Sequence, residues 1–166
     1  VVDVMGYSRK NGANVQQFRD FGSKNQRWHL VAAGEDAFRV VALHSGKCLT
    51  VQNRGVEDGA NVAQSACGSG DDQLWKIEPY PHSDTAYRII SRHSGKALDV
   101  DAKSKEDGAN IQQFHLSGGP NQLWTLYPDG DAGGIPIYSI ISYHSGKAVD
   151  VQAAETDEGA NVQQHA

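Results

Sequence analysis

Residues 93–124 read HSGKALDVDAKSKEDGANIQQFHLSGGPNQLW, and this block decides the fold because it returns along the whole chain. HSGK begins at His44, His93 and His144, while Gly-Ala-Asn begins at Gly12, Gly59, Gly108 and Gly159, with offsets of 47, 49 and 51. The three tryptophans of the chain, Trp28, Trp75 and Trp124, each close a Gln-x-Trp triplet. Self-similarity at such a period marks a structural unit repeated in space. Within the third copy, alternation and turn chemistry predict four short strands: 87–91, 97–101 after the HSGK turn, 110–114 after the polar loop KSKEDG, and 122–126 after SGGPN. Four short strands cannot bury their own apolar face, so three copies must share one core.

Composition agrees with an all-β chain that folds. Of 166 residues, 39% are hydrophobic and 21% charged, with a net charge of −5, which is enough apolar material for a core and too little charge for disorder. Without a Lys/Arg cluster, a phosphate-binding surface is a poor expectation, so nucleic acid and anionic membranes are set aside as partners. The longest apolar stretches, 40–43 and 135–141, fall far short of the roughly 18 residues a spanning helix needs, and no membrane insertion is expected.

Three repeats of about 48 residues, each with an xLDV-like second strand, a Gln-rich third strand and a terminal Gln-x-Trp, resemble the ricin B-chain type lectin domain, the group that includes family 13 carbohydrate-binding modules. The resemblance covers nearly the whole chain. It implies a β-trefoil: a six-stranded barrel from the first and fourth strands of each repeat, capped by three hairpins from the second and third, with Trp28, Trp75 and Trp124 near the pseudo-threefold axis. The expected organisation is a single domain over 1–166, with repeats 1–36, 37–85 and 86–136 and a partial repeat 137–166.

The ends depart from that pattern. The chain opens on a second strand, VVDV, and closes on a third, NVQQHA, which leaves three first strands, three fourth strands and four hairpins. The first strand at 137–142 can close the barrel beside the fourth strand at 26–31, a permuted trefoil, while residues 1–24 and 144–166 compete for one cap. A surplus hairpin would permit a swapped homodimer. A fragment of a longer protein explains the same ends.

Cys48 stands just before a second strand and Cys67 just after the following third strand, so a folded hairpin brings them together, and a disulfide is predicted over two reduced buried thiols. The resemblance implies the same pair. An internal bridge without metal-ligand spacing points to an oxidising compartment, hence secretion.

Comparing repeats separates fold from function. Gln-x-Trp persists in the second repeat, yet where the third has Asp99, Gln112 and Phe114 the second has Thr50, Ala63 and Ser65: a carboxylate, an amide and an aromatic ring vanish together. Sugars need that combination, since a carboxylate accepts from vicinal hydroxyls and a ring covers the C–H face of a pyranose. By the resemblance, one sugar site comprises Asp3, Gln16, Phe18 and Asn25, and another Asp99, Gln112, Phe114 and Asn121. Asp72 replaces the asparagine in the second repeat, which is expected to be inactive. The last half-repeat offers Asp150, Gln163 and His165 and would need Asn25 from the other end of the chain. Two structural alternatives stand beside this: Phe18 and Phe114 as core residues, and the aspartates as turn caps.

No catalytic residue, metal site or cofactor is expected. The HSGK histidines sit at equivalent turns without a second ligand at metal spacing, a Ser-His neighbour pair in a turn is no triad, and glutamates 35, 57, 78, 106, 155 and 158 form no defensible acid–base pair. The leading expectation is therefore non-catalytic binding of galactose, N-acetylgalactosamine or xylan-type glycans through shallow multivalent sites. A protein-binding, inhibitor-like trefoil and a binding module cut from a larger secreted glycoside hydrolase are the competing readings.

Overall fold

The computed structural model describes residues 1–146 and the backbone of two further strands, Val149–Val151 and Val162–Gln164. Six strands close a barrel: β3 (Trp28–Ala32), β4 (Phe38–Ala42), β7 (Trp75–Pro79), β8 (Tyr87–Ser91), β11 (Trp124–Ala132) and β12 (Ile135–Ser142). Each pairs antiparallel with the next, and β12 returns to β3 with Tyr138 opposite Trp28. The permuted closure is thus the observed one. Three hairpins cap the barrel: β1 (Val2–Val4) with β2 (Ala13–Gln17), β5 (Cys48–Val51) with β6 (Val62–Ser65), and β9 (Ala97–Val100) with β10 (Ile111–Phe114). The fold is an all-β trefoil.

Residues 1–24 take the contested cap: β2 pairs with β6, and Gln16 bridges Asn110. The fourth hairpin, β13 (Val149–Val151) with β14 (Val162–Gln164), forms its own two-stranded sheet, with Asp150 opposite Gln163 just as Asp3 is opposite Gln16.

The repeated residues explain the threefold symmetry. Each tryptophan is fully buried, and its indole N–H donates to a second-strand carbonyl: Trp28 to Val2, Trp75 to Leu49 and Trp124 to Leu98, at 3.0 to 3.1 Å. Val40, Ile89 and Ile140 come from equivalent barrel strands and fill the same core. The glutamine of each Gln-x-Trp spans the loop after the third strand; Gln122 donates to the His115 carbonyl at 2.8 Å and accepts from Ser117 N at 3.0 Å. The asparagines of Gly-Ala-Asn close a ring, Asn14 donating to Asn110, Asn110 to Asn61 and Asn61 to Asn14, at 2.9 to 3.0 Å. Their preceding glycines adopt φ of +77°, +85° and +84°, which side chains disfavour.

Some expected boundaries shift. The fourth strand begins at the tryptophan, because Lys24–Gln26, Asp71–Gln73 and Pro120–Gln122 make 3-10 turns. The second strand of the third repeat stops at Val100, and Asp101 enters a 3-10 turn. Residues 129–136 extend the β11–β12 hairpin, which turns at Gly133 and Gly134 with both φ positive. Cys48 and Cys67 form the predicted disulfide.

Candidate functional site

Cross-strand register builds the floor of the site. Asp3 lies opposite Gln16 and Asp99 opposite Gln112, so each pair shares one face of its hairpin. Gln16 Nε2 donates to Asp3 Oδ1 at 2.9 Å, and Gln112 Nε2 to Asp99 Oδ1 at 3.1 Å. The 3-10 turn before Gln-x-Trp delivers the asparagine from the other side: Asn25 Nδ2 donates to Asp3 Oδ2 and Asn121 Nδ2 to Asp99 Oδ2, both at 2.7 Å. Both aspartates are buried, at 4% and 3% exposure, and burial pushes their carboxyls above the ordinary range while the amide donors oppose that shift. The result is a carboxylate acceptor held at a fixed angle.

Two shallow pockets open over these floors. One, of about 280 Å³, is lined by Asp3, Gln16, Phe18 and Asn25, the other, of about 340 Å³, by Asp99, Gln112, Phe114 and Asn121. All eight residues predicted for the two sites are therefore brought together. Phe18 and Phe114 are half-buried and face the pockets instead of the core. The aspartates do bond locally, yet to side chains of the pocket floor and not as turn caps.

The second repeat commits its residues elsewhere. Thr50 Oγ1 donates to the Cys48 carbonyl at 2.8 Å and accepts from Gln73 at 3.1 Å. Asp72, where the asparagine would be, turns to Arg54 Nη1 at 2.8 Å, and Asp71 takes Arg54 Nη2 at 2.5 Å. An ion pair replaces the amide-locked carboxylate.

In the last half-repeat only the backbone pairing of Asp150 with Gln163 is described; their side chains and all of His165 lie outside the described residues. The expectation that Asn25 completes that pocket therefore falls outside the described residues; Asn25 itself donates to Asp3 and to the Val4 carbonyl. The HSGK histidines serve as ties: His44 Nε2 donates to Ser8 O, His93 to Arg54 O and His144 to Lys103 O, at 2.8 to 2.9 Å. Among the described residues no three His, Cys, Asp or Glu side chains gather as metal ligands.

Sequence reasoning missed the rims. Tyr7 and Phe21 line the first pocket, and Asp101, Lys103 and Ser117 the third. Tyr7, Arg54 and Lys103 all follow the second strand and all adopt positive φ, between 54° and 56°. Non-glycine residues seldom do so, but no sequence pattern announces it when the residue type changes in every repeat.

A family model described as ricin-type β-trefoil lectin domain-like matches residues 1–65, 24–114 and 71–165. No curated protein sequence gives a significant match. Among solved structures, a designed three-fold symmetric protein, ThreeFoil, is 46% identical with a TM-score of 0.72, covering 75% of this chain and 87% of its own. An exo-β-1,3-galactanase from Clostridium thermocellum is 40% identical with a TM-score of 0.72, over 75% of this chain and 27% of the enzyme, so the chain matches only about a quarter of that protein. A Macrolepiota procera ricin B-like lectin, solved in complex with lactose, shares the fold at 21% identity and a TM-score of 0.65, over 75% of this chain and 84% of the lectin.

Proposed function

Because the chain belongs to the ricin-type β-trefoil lectin domain-like family, we propose that it is a secreted, non-catalytic carbohydrate-binding protein whose first and third repeats each hold a galactose-configured sugar. One observation carries this reading: the amide-locked carboxylate beside a half-exposed ring occurs twice and is replaced as a set in the second repeat. In each working pocket the carboxylate accepts two sugar hydroxyls, the asparagine and glutamine hold it in place, and Phe18 or Phe114 covers the C–H face. Phenylalanine adds no polar handle, so a single site binds at about the millimolar level, and two sites on one rigid body gain strength on a polymer or cell surface.

The 40% identity to part of a β-1,3-galactanase favours galactose-type ligands over xylan. The same identity favours a second reading, a binding segment that works beside a hydrolase in a larger protein. Secretion rests on the disulfide, which persists in oxidising compartments. The fourth hairpin repeats the register of the first and supplies an element that two copies could exchange, which sedimentation of the intact chain would reveal as a dimer.

A glycan array combined with soluble β-1,3-galactan and xylan tests the function. Retention on galactosides and galactan, abolished by Asp3→Ala together with Asp99→Ala, is expected. A folded protein that ignores every glycan would move the assignment to a protein-binding trefoil.

A further inference from the structure

The two pockets share a floor and differ in their rims. Over the first, Tyr7 and Phe21 stand 47% and 66% exposed, an unusual investment of large apolar surface at one small opening. Neither ring is loose. Tyr7 packs its edge against His44 with centroids 5.0 Å apart, and His44 is buried and bonded to the Ser8 carbonyl. Phe21 leans on Phe18 at 6.0 Å, tilted by 44°, and the Arg19 guanidinium lies 5.9 Å from its ring, itself fixed to Asp107 at 2.6 Å. At the equivalent positions of the third pocket stand Lys103 and Ser117, and Asp101 joins the floor by accepting from Gln112 at 3.2 Å.

We propose that Tyr7 and Phe21 make the first pocket an extended subsite for a disaccharide or longer neutral glycan, whereas the third pocket holds one sugar unit. This rests on the reading that both pockets bind galactose-configured sugars. Phe18 alone covers the C–H face of the terminal ring. A second pyranose leaving that ring then meets a further aromatic face, held in advance and so costing little ordering entropy. In the third pocket the second sugar meets Asp101, Ala102, Lys103 and Ser117, a rim with no second aromatic ring. Tyr7 and Phe21 are thereby specificity-determining residues for chain length.

Calorimetric titration with galactose and with β-1,3-galactobiose tests this, using Asp99→Ala to isolate the first pocket, Asp3→Ala to isolate the third, and the double variant as baseline. The isolated first pocket should bind the disaccharide about tenfold more tightly than galactose, and the isolated third within about twofold. Phe21→Ser should erase the first pocket's gain, bringing the disaccharide to within about twofold of galactose on the same variant; at 66% exposure this substitution spares the core. Ser117→Phe with Lys103→Tyr should confer the gain on the third pocket. Equal gains in both pockets, or a gain that survives Phe21→Ser together with Tyr7→Ser, overturns the proposal while leaving galactose binding intact. Absence of galactose binding by the folded, unsubstituted protein would instead overturn the function on which it rests.

Discussion

Tyr138 lies directly opposite Trp28, so the last barrel strand pairs with the first and the ring closes between distant parts of the chain. Ile140, two residues on and fully buried, belongs to the same core as that tryptophan. Ile140→Ala removes buried methylene and methyl groups at a cost of about 2–5 kcal/mol, which lowers Tm by on the order of 10 °C. Deleting residues 147–166 should leave Tm within about 2 °C, because residues 1–24 already fill the third cap. Scanning calorimetry of both variants decides the matter: a truncated chain that melts as early as Ile140→Ala would mean that the fourth hairpin supports the barrel.

The Cys48–Cys67 bridge closes a 19-residue separation around the hairpin that caps the second repeat. Replacing both cysteines by serine should cost about 3 kcal/mol, mainly by freeing the unfolded chain. Both pockets are on other repeats, so binding to galactan should not change. A lower urea midpoint with unaltered binding is the expected pair of results; loss of affinity at full folding would place the second repeat in the binding surface.

Gln-x-Trp, HSGK and Gly-Ala-Asn made the fold legible because each does the same structural work in every copy, and repetition exposes it. Trp75 is buried like Trp28 and Trp124 although its repeat lacks the Asp, Gln and Phe of the other two. The Asp, Gln and Asn of the floor were legible for the opposite reason, their joint disappearance from the second repeat. Tyr7, Lys103 and Ser117 were not, since a rim residue answers to a ligand and carries no periodicity or neighbour that fixes its type. The long β11–β12 hairpin has no counterpart in the other repeats, so repetition did not expose it; Arg27 pairs with Asp129 and ties that extension to the barrel.

Burial raises the Asp3 and Asp99 carboxyls above the ordinary aspartate value of 3.8. A carboxyl shifted upward in the folded state adds most stability when protonated; that contribution is complete below the unfolded value and is lost as pH rises through the folded one. These two groups therefore do not drive acid unfolding. Asp58 does the reverse: hydrogen bonds from Lys96 and His115 hold it down to about 2, so its contribution is complete above 3.8 and is lost as pH falls from there through about 2. On acidification the pockets should lose their charged acceptors, and hence galactan binding, before the barrel unfolds. Binding and near-ultraviolet dichroism of the buried tryptophans, followed on the same samples from about pH 7 to about pH 2, should separate into two transitions. A single shared transition would mean that binding is lost only through unfolding.

Asp99 accepts from Gln112, Asn121 and Gln122 at 3.1, 2.7 and 3.0 Å, which makes it the centre of the pocket floor. Each of those amides also has another acceptor, respectively Asp101, the Val100 carbonyl and the His115 carbonyl. Asp99→Ala thus weakens the floor without stranding any of the three amide donors, and the expected cost is about 1–2 kcal/mol, a drop in Tm of a few degrees. Binding at the third pocket should fall tenfold or more, since the charge-assisted acceptor is gone. Thr50→Ala is the matched control: it removes the side chain at the equivalent position of the second repeat, should cost comparable stability, and should leave binding untouched. If the two substitutions lower binding alike in proportion to Tm, the carboxylate acts through stability and the sugar is held elsewhere.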